Sequence, residues 1–591
     1  MTTSPTASTA VLADFAEHLR ELRLPLPVAG AEQARADVDA ALAQLEDHVA
    51  PRLASLDAPL LVVVGGSTGA GKSTLVNALV GEVVSRSGAI RPTTRRPVLL
   101  HHPEDEAWFT GTRILPGLAR VRGGDAGALP EGDLADVSGP AAEGDAAATS
   151  LELRAQDGIP RGLALLDAPD IDSVATGNRE LARQLLRAAD LWLFVTTANR
   201  YADAVPWEVL RTAARREVTV DVVMNRIPDR PGVAEELGAD LRAMLEAEGI
   251  EVQRLLLVPE TEMGEEPLLP AAVVAELRGH LASLAADGES RARIARRTLA
   301  GAVADLAGSA RTVAEHGLAQ QTEVARLRGE AEDAFAEARS RIEAAVGDGT
   351  LLRGEVLARW QDVVGTGDFF RGVESMISRL RDRIGMVLTG RTAPAVAAEQ
   401  ALGTGLVQVV VDESARGAER ADGAWRASPA GKALAEGADL SRLPEDFPEQ
   451  AAASIRAWQG DVLEIVRTEG ADRRTRARVL SLGVNVVGVA LMIVVFASTA
   501  FIPTGLEVGV GAGTAVVGQK LLETIFGDEA VRRMARIARE QLTARLDALV
   551  DSRLEPFTAR LDALEGIEGA AALGADAEAL ERLAAGIREQ A

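Results

Sequence analysis

Apolar residues follow two different periods along the chain, and the first pattern covers residues 59–286. There, short apolar runs alternate with segments in which apolar residues recur every three or four positions. The runs predict β-strands over 60–64, 98–102, 150–154, 163–167, 191–196, 219–224 and 254–258. The periodic segments predict helices over 72–81, 177–189, 203–215, 231–248 and 268–286. This alternation is typical of an α/β domain whose mostly parallel sheet has helices on both faces.

The helical period dominates the remainder of the chain. It predicts a long all-α bundle from residues 287–478 and 519–591, and a further helical segment over 11–58 that packs on the C-terminal part of this bundle. Residues 1–10 are small and polar, and we expect them to be disordered. The segment 103–148 is rich in Gly, Asp, Pro and Ala, which predicts a surface insertion of low order.

One apolar stretch interrupts the soluble pattern. Residues 479–502 carry no charged side chain, and they exceed the ~20 apolar residues that a helix needs to cross a bilayer. A Pro-Thr-Gly turn and a second apolar run follow, so 479–518 predicts a hairpin, with basic residues on both of its flanks. Basic flanks favour the cytoplasmic face, so we expect the hairpin to cross twice or to dip into the bilayer and return. The alternative is a hairpin buried at the centre of a soluble helical bundle.

Charge and composition narrow the classes of function. The formal net charge is −24, which disfavours nucleic-acid binding through phosphate neutralisation. The chain has no cysteine, which excludes disulfides, thiolate zinc sites and cysteine nucleophiles. Residues 1–20 lack a basic start followed by an apolar core, so we expect no secretory signal and a cytoplasmic location for the bulk of the protein.

A glycine-rich segment between the predicted strand 60–64 and the predicted helix 72–81 carries the strongest functional signal. It reads Gly66, Ser67, Thr68, Gly69, Ala70, Gly71, Lys72, Ser73 and Thr74. In a phosphate-binding loop with this spacing, backbone N–H groups surround the phosphates, the lysine reaches the β- and γ-phosphates, and the serine hydroxyl ligates Mg²⁺. Lys72 is one of three lysines in a chain whose positive charges are mostly arginines, which disfavours a chance match. The segment therefore predicts binding of a nucleoside triphosphate with Mg²⁺.

Thr93 and Thr94 lie in a Thr- and Arg-rich segment at the position where GTPases place their first switch. A threonine there completes the coordination of Mg²⁺ and senses the γ-phosphate, and the sequence does not choose between the two. Arg91, Arg95 and Arg96 are candidates to stabilise charge on the transferring phosphoryl group. The alternative is a turn that leads into an edge strand.

Two aspartates follow the apolar strand 163–167. Asp167 ends this strand, the usual position of a carboxylate that holds the water shell of Mg²⁺. Asp170 stands where GTPases usually offer a glycine N–H to the γ-phosphate, and its carboxylate would lie near phosphate unless it turned away or ligated the metal. Ile171 takes the place of a glutamine that orients water. The predicted catalytic set is Lys72, Thr94, Asp167 and Asp170, and the predicted metal ligands are Ser73, Thr93, Thr94 and Asp167.

The segment after the strand 219–224 corresponds in position to the guanine-reading motif Asn/Thr-Lys-x-Asp. Asn225 fits this motif, and Arg226 replaces its lysine. Pro228 takes the place of its aspartate, with Asp229 one residue late. Since that aspartate distinguishes guanine from adenine, the signal for GTP is weakened, and ATP remains an alternative. Asn225, Arg226 and Asp229 join residues 66–74 as predicted nucleotide-binding residues.

These motifs, in their order along the chain, resemble the septin–dynamin–Era branch of the P-loop GTPases. With the long helical region and the late apolar hairpin, the chain resembles a bacterial dynamin-like protein of the actinobacterial type. The motifs cover residues 60–260, and the remainder resembles the family in architecture only. Gly69 departs from the pattern of dynamins, which carry a catalytic serine at this position, and the displaced Asp229 departs from their base-reading motif.

The resemblance implies a GTPase head on a helical neck and trunk, bound to the lipid bilayer through 479–518 at the cytoplasmic face of a bacterial membrane. It implies GTP or GDP and Mg²⁺ as ligands, with self-association through the heads and the helical stalk, or with a paralogous dynamin-like partner. The implied function is membrane remodelling or support of division septa.

Two other functions remain open at the level of sequence. One is a membrane-anchored nucleotide-binding scaffold with little or no hydrolysis, which Gly69, Asp170 and Ile171 favour. The other is a transport ATPase, which the lack of a Leu-Ser-Gly-Gly signature disfavours.

Overall fold

The computed structural model describes residues 5–85, 96–111, 113–122, 150–172, 176–261, 268–347, 393–469 and 526–591. The chain divides into two compact units. The first comprises Met1–Leu24, Gly30–Ala319 and Gly566–Ala591, and the second comprises Pro25–Ala29 and Gln320–Glu565. These units are defined by contacts within the fold, whereas the domain limits given above are defined by the hydrophobic pattern of the sequence. The two divisions cannot be compared directly, so the domain limits remain predictions.

Among the described residues, the strands fall between positions 60 and 259, with helices before, between and after them. The strands are β1 (Leu60–Gly66), β2 (Val98–His101), β3 (Ala119–Arg122), β4 (Ser150–Ala155), β5 (Leu163–Asp167), β6 (Leu191–Thr197), β7 (Thr219–Ile227) and β8 (Val252–Pro259). The α-helices are α1 (Pro5–Glu21), α2 (Ala31–Gln44), α3 (Ala50–Ala54), α4 (Lys72–Val80), α5 (Glu106–Phe109), α6 (Thr176–Arg187), α7 (Ala204–Arg215), α8 (Val233–Ala247), α9 (Ala271–Ala286), α10 (Gly288–Gly347), α11 (Ala393–Trp425), α12 (Pro429–Leu434), α13 (Phe447–Glu469), α14 (Asp528–Asp562) and α15 (Ala570–Arg588). A π-helical turn at Leu45–Val49 and 3₁₀ turns at Pro103–Asp105 and Ile567–Gly569 join them.

The described strands form one sheet in the order β3-β4-β2-β5-β1-β6-β7-β8. β2 and β5 pair antiparallel, and the other neighbouring pairs are parallel. The mostly parallel sheet predicted from the alternating pattern is therefore confirmed. β1 lies inside the sheet, between β5 and β6, and all of its residues are buried.

Helices cover both faces of this sheet. Successive residues of a strand point to opposite faces, so alternate residues of β1 contact different helices. Leu61 and Val63 of β1 belong to an apolar cluster with residues of α6, α7 and α8. Val62 and Val64 belong to a second cluster, on the other face, with residues of α4 and α9. Burial on both faces accounts for the continuous apolar run in β1, in which no polar residue alternates.

Residues 103–148 contain more regular structure than their composition predicts. Ala119–Arg122 form β3, which pairs parallel with β4 at one edge of the sheet, and residues 123–149 lie outside the described part of the chain. The guanidinium group of Arg120 donates hydrogen bonds to the carbonyl groups of Phe109, Leu115, Leu118 and others in the preceding turns. A prediction based on Gly and Pro content misses this order, because a single side chain satisfies the backbone of irregular turns.

Helix α1 begins at Pro5, whereas we predicted disorder over residues 1–10. Proline suits a first helical turn, because its fixed φ matches the helix and its missing N–H would be unpaired there in any case. Further along, Leu12, Phe15 and Leu19 are buried at helical spacing. The small polar residues at the start are therefore held in a helix by the apolar stripe that follows them.

The stripe of α1 packs against α15 within the first unit, in a cluster that includes residues of α2 and of the first part of α10. At the polar edge of this contact, Nδ1 of His18 lies 2.7 Å from Oδ2 of Asp576. This hydrogen bond raises the pKa of His18, since the carboxylate favours the protonated ring.

The described residues of the second unit are mostly helical, in α10 from residue 320 onward and in α11–α14. Large aromatic side chains fill its core: Phe335, Trp425, Phe447, Trp458 and Phe557. The indole N–H of Trp425 donates to the carbonyl of Leu327, and that of Trp458 donates to the carbonyl of Ala538, both at 2.8 Å. Each indole therefore buries its apolar surface without leaving its donor unpaired.

None of the described helices combines the length and the apolar character that crossing a membrane requires. The predicted hairpin at 479–518 lies outside the described residues, so its structure stays a prediction.

We expect the His18–Asp576 bond to stabilise the first unit more at acidic than at alkaline pH. Because the pKa of His18 is raised on folding, this stabilisation is complete below the ordinary value of 6.5 and is lost as the pH rises through the folded pKa. Thermal unfolding of the wild type and of His18→Gln, from about pH 5.5 to about pH 8, measures the effect. The difference between their midpoints should shrink as the pH rises, and a difference independent of pH would contradict this expectation.

Candidate nucleotide-binding site

The described members of the predicted site lie at or just beyond the carboxyl ends of adjacent parallel strands. β5, β1, β6 and β7 are neighbours in the sheet and run in the same direction. The loops that follow them therefore meet at one edge of the sheet, the place where ligands bind in open α/β folds. The loop after β1 leads directly into α4, whose N-terminus favours an anion.

The backbone of the loop after β1 requires glycine at its two ends. Gly66 and Gly71 have φ angles of +151° and +95°, which side-chain-bearing residues rarely adopt. A Cβ atom at Gly66 would overlap the carbonyl oxygen of Val195, and one at Gly71 would overlap the side-chain amide of Asn225. The glycine pattern of the sequence therefore reflects close approach of β6 and β7 to the loop, as well as its turn.

Lys72, the first residue of α4, buries its side chain under the loop, with 6% of it exposed. Its ammonium group donates to the carbonyl oxygens of Gly66 and Ser67, at 3.0 and 3.1 Å, and forms an ion pair with the carboxylate of Asp170. An ammonium group has three donors, and these contacts use all of them. The structure thus brings two members of the predicted catalytic set, Lys72 and Asp170, into direct contact.

Asp167 lies at the end of β5, fully buried beside the start of α4. Its Oδ2 atom accepts hydrogen bonds from the hydroxyl groups of Ser73, at 2.8 Å, and Ser85, at 2.6 Å. Asn77 of α4 fixes Ser85 by hydrogen bonds to its backbone N–H and C=O groups. Burial raises the pKa of Asp167, although hydrogen bonds from Ser85 and Ser73 and the charge of Lys72 oppose this shift.

The surroundings of Asp167 suit Mg²⁺. Its Oδ1 atom is buried and has no hydrogen-bond partner among the described residues. An unpaired carboxylate oxygen beside the Ser73 hydroxyl is a donor set that a hard cation prefers. In the described part of the chain, no group of three or more acidic or histidine side chains is placed to hold a metal ion alone.

A ring of hydrogen bonds, which the sequence did not predict, joins the loop to two neighbouring loops. Oδ1 of Asp172 accepts from the backbone N–H and the hydroxyl of Thr68, at 2.6 and 2.7 Å. Arg200, in the loop after β6, donates to the carbonyl of Thr68 at 2.9 Å and to Oδ2 of Asp172 at 2.8 Å. Its Nε donates to Asp203 at 2.8 Å. Burial opposes the ionisation of Asp172, but the bonds from Thr68 and Arg200 outweigh it and lower its pKa.

Two of these residues carried a signal that sequence reasoning did not use. Asp172 lies in the same turn as Asp167 and Asp170, and Arg200 follows a buried strand of a parallel sheet. Both positions are therefore carboxyl-end loop positions, where residues of different strands converge. Ser85 carried no such signal, because it does not follow a strand: bonds from Asn77 to its backbone bring its hydroxyl to Asp167.

Asn225, at the end of β7, braces the glycine loop. Its side-chain Nδ2 donates to the carbonyl of Ala70 at 3.0 Å, and its Oδ1 accepts from the backbone N–H of Arg226 at 2.9 Å. Arg226 has a φ of +56°, an uncommon value for a residue with a side chain. The side chains of Arg226 and Asp229 are exposed. The structure therefore brings Asn225 to the loop and leaves Arg226 and Asp229 at the surface beyond it.

The remaining predicted residues are placed as follows. Thr93 and Thr94, with Arg91 and Arg95, lie outside the described residues. Arg96 donates from Nε to the hydroxyl of Ser150, the first residue of β4, at 2.9 Å.

We expect the ring around Thr68 to limit opening of the loop. Arg200→Ala removes the donors to Thr68 and Asp172, so hydrogen exchange of the backbone amides at residues 67–70 should accelerate about tenfold, the equivalent of ~1.4 kcal/mol. Hydrogen-exchange mass spectrometry of peptides from this loop measures the change. Arg211→Ala is the matched control, because Arg211 forms an exposed ion pair with Glu248. Unchanged exchange at residues 67–70 in Arg200→Ala, or equal acceleration in the control, would contradict the expectation.

Part of the chain is similar to a known protein family. Residues 62–225 match the family model described as the Dynamin family. None of the curated proteins matches the chain. Two solved structures are similar to it, each described as an oligomerised bacterial dynamin pair that provides a mechanism for long-range sensing and tethering of membranes. The first is 11% identical with a TM-score of 0.43, and the match covers 100% of this chain and 96% of that chain. The second is 12% identical with a TM-score of 0.28, covering 98% and 82%.

The family match spans the glycine loop, the turn from Asp167 to Asp172, the loop that carries Arg200, and Asn225. It ends within β7, so it covers the strands whose carboxyl ends form the site. The strands and loops that form the site therefore lie in the part of the chain that matches the Dynamin family.

Proposed function

We propose that the chain is a bacterial dynamin-like GTPase that binds GTP with Mg²⁺ at residues 66–74 and hydrolyses it. The observation that carries the proposal is the buried ammonium group of Lys72, enclosed by a glycine loop between β1 and α4 and adjacent to Ser73 and Asp167. Burying a cation is costly unless it is paired, and a polyanionic ligand at a helix N-terminus suits such a cation.

Within this proposal, each group has a distinct role towards the nucleotide. Lys72 binds the β- and γ-phosphates, and the Ser73 hydroxyl and the unpaired Oδ1 of Asp167 hold Mg²⁺, directly or through water. When bound, Mg²⁺ would neutralise charge on the phosphates. Thr94, or Thr93 in its place, would complete its coordination from the first switch.

The attacking water needs a group other than a glutamine side chain. Ile171, at the corresponding position, is apolar and buried with 2% of its surface exposed. We assign the orientation of the water and the terminal phosphate to the hydroxyl of Thr94 and the backbone N–H of Asp170. These groups act by positioning and by electrostatic stabilisation, which account for most of the catalysis of phosphoryl transfer.

The base lies, in this proposal, against the surface formed by Arg226 and Asp229. Asn225 supports it indirectly by fixing the Ala70 carbonyl, and the planar guanidinium of Arg226 suits stacking on a purine. Because Asp229 stands one residue late, we expect a preference for GTP over ATP that is weaker than an Asp in register provides.

The proposal extends to the membrane through residues 479–518. The uncharged stretch 479–502 and the basic flanks of the hairpin support insertion into an anionic bilayer at the cytoplasmic face, where the flanks meet lipid headgroups. Nucleotide-dependent association of the heads and the helical stalk, with a second copy or a paralogous dynamin-like partner, would then remodel membranes or support a division septum.

A membrane-anchored scaffold with little hydrolysis is the second candidate. The contact between Asp170 and Lys72 favours it, because a carboxylate occupies the cation that a triphosphate needs. Rates of phosphate release separate this candidate from the first.

We expect Lys72→Ala to weaken GTP binding at least about 100-fold, since it removes a charged donor to two phosphates. Calorimetric titration with GTP and Mg²⁺ measures the affinity. Lys432→Ala is the matched control, because Lys432 is exposed in the second unit and should leave the affinity unchanged. Wild-type affinity in Lys72→Ala would refute the placement of the site.

We expect GTP turnover to rise when anionic liposomes are added, because the proposal couples the nucleotide site to membrane binding by residues 479–518. Phosphate release is measured with GTP and with ATP, for the full chain and for a variant in which a Gly-Ser linker replaces residues 479–518. The variant should neither sediment with liposomes nor respond to them, and it should keep its basal turnover. GTP binding without turnover under any condition would favour the scaffold, and unchanged sedimentation of the variant would contradict the membrane assignment.

A further inference from the structure

We propose that Asp170 sets the preference of this site between nucleoside diphosphate and triphosphate, by holding the Lys72 donor that the terminal phosphate requires. The inference rests on the proposed nucleotide site and specifies its ligand. At this site a diphosphate can bind while Asp170 stays in place, whereas a triphosphate must displace the Asp170 carboxylate.

All three N–H donors of the Lys72 ammonium group are already used. Its three N–H groups are taken by the carbonyls of Gly66 and Ser67 and by the carboxylate of Asp170. The carbonyls belong to the loop itself and are fixed by its backbone. Asp170 is the partner that enters from another segment of the chain, so its carboxylate is the one that a terminal phosphate displaces.

The Asp170 carboxylate binds Lys72 on the side where a terminal phosphate would bind. The lysine of a phosphate loop bridges the β- and γ-phosphates, and the loop 66–71 cradles the β-phosphate at the N-terminus of α4. A carboxylate oxygen bound to the same ammonium from outside the loop therefore stands in for an oxygen of the terminal phosphate. Lys72 is 6% exposed and Asp170 is 20% exposed, so water screens the repulsion between this carboxylate and a terminal phosphate only weakly.

The surrounding charges strengthen the effect. Arg200, the other described cation that contacts the loop, is already shared between Asp172 and Asp203. Asp167 adds a further acidic group beside Ser73. A triphosphate that enters without displacing Asp170 would thus add negative charge to a site in which described cations are already paired.

Removal of the Asp170 carboxylate distinguishes this role from an alternative in which Asp170 ligates Mg²⁺. A metal ligand favours the triphosphate complex, so its removal would weaken triphosphate binding. A competitor for Lys72 disfavours that complex, so its removal strengthens triphosphate binding. The two roles therefore have opposite signs in one measurement.

The test compares the full chain with Asp170→Asn, which keeps the shape of the side chain and removes its charge, and with Asp170→Gly, which removes the side chain. Affinities for GDP and for a non-hydrolysable GTP analogue are measured by calorimetry with Mg²⁺. Asp203→Asn is the matched control, because it removes one carboxylate near the loop that contacts Arg200 and not Lys72.

We expect the ratio of triphosphate to diphosphate affinity to rise about tenfold or more in both Asp170 variants, because a charge-assisted bond to Lys72 no longer competes. In Asp203→Asn, both affinities should move together and the ratio should stay constant. An unchanged or lower ratio in the Asp170 variants, or an equal rise in Asp203→Asn, would overturn the inference while leaving the nucleotide site intact. Failure of every protein to bind either nucleotide would overturn the proposed function, and the inference with it.

Discussion

One buried ammonium group constrains much of the first unit. Lys72 stands at the end of the central strand's loop with its charge under the backbone, and a buried cation must be paired and hydrogen-bonded. Gly66 and Ser67 supply carbonyl oxygens because their loop curls over the lysine, and this curl is open only to glycine at Gly66 and Gly71. Neighbouring strands then hold the loop in that shape: β5 through Asp172, β6 through Arg200 and β7 through Asn225. The sheet serves the site by bringing these loops to one edge.

The same arrangement places several carboxylates around a site that is proposed to bind negatively charged phosphates. Carboxylates of Asp167, Asp170 and Asp172 all lie within hydrogen-bond reach of the loop or its first helical turn. Two of them already have cationic partners, and burial raises the pKa of the third, Asp167. In the proposed function, nucleotide and Mg²⁺ would enter together, because the metal would compensate the carboxylate of Asp167 while the phosphates compete for Lys72. This exchange of partners would link the nucleotide state to the turn that follows β5.

The sequence was most informative where one physical requirement dictates a residue pattern. Burial on both faces dictates the apolar runs of β1 and β6, and close backbone approach dictates Gly66 and Gly71, so strand, loop and helix were predictable. Local composition was a poor guide where a single long side chain organises the backbone, as Arg120 does before β3. The ring around Thr68 was not predicted, because residues 172 and 200 meet the loop only through the order of the strands. The partner of Lys72 also depends on this tertiary arrangement, although Asp170 itself stood out as a departure from the GTPase pattern.

The most direct test of the account is a crystal structure of the full chain with Mg²⁺ and a non-hydrolysable GTP analogue. We expect the phosphates within residues 66–74, the Lys72 Nζ atom on the β- and γ-phosphate oxygens, and Mg²⁺ beside Ser73 and Asp167. The Asp170 carboxylate should have left Lys72. A nucleotide bound elsewhere would contradict the site, and a triphosphate in the loop with Asp170 still paired to Lys72 would contradict the exchange of partners on which the account depends.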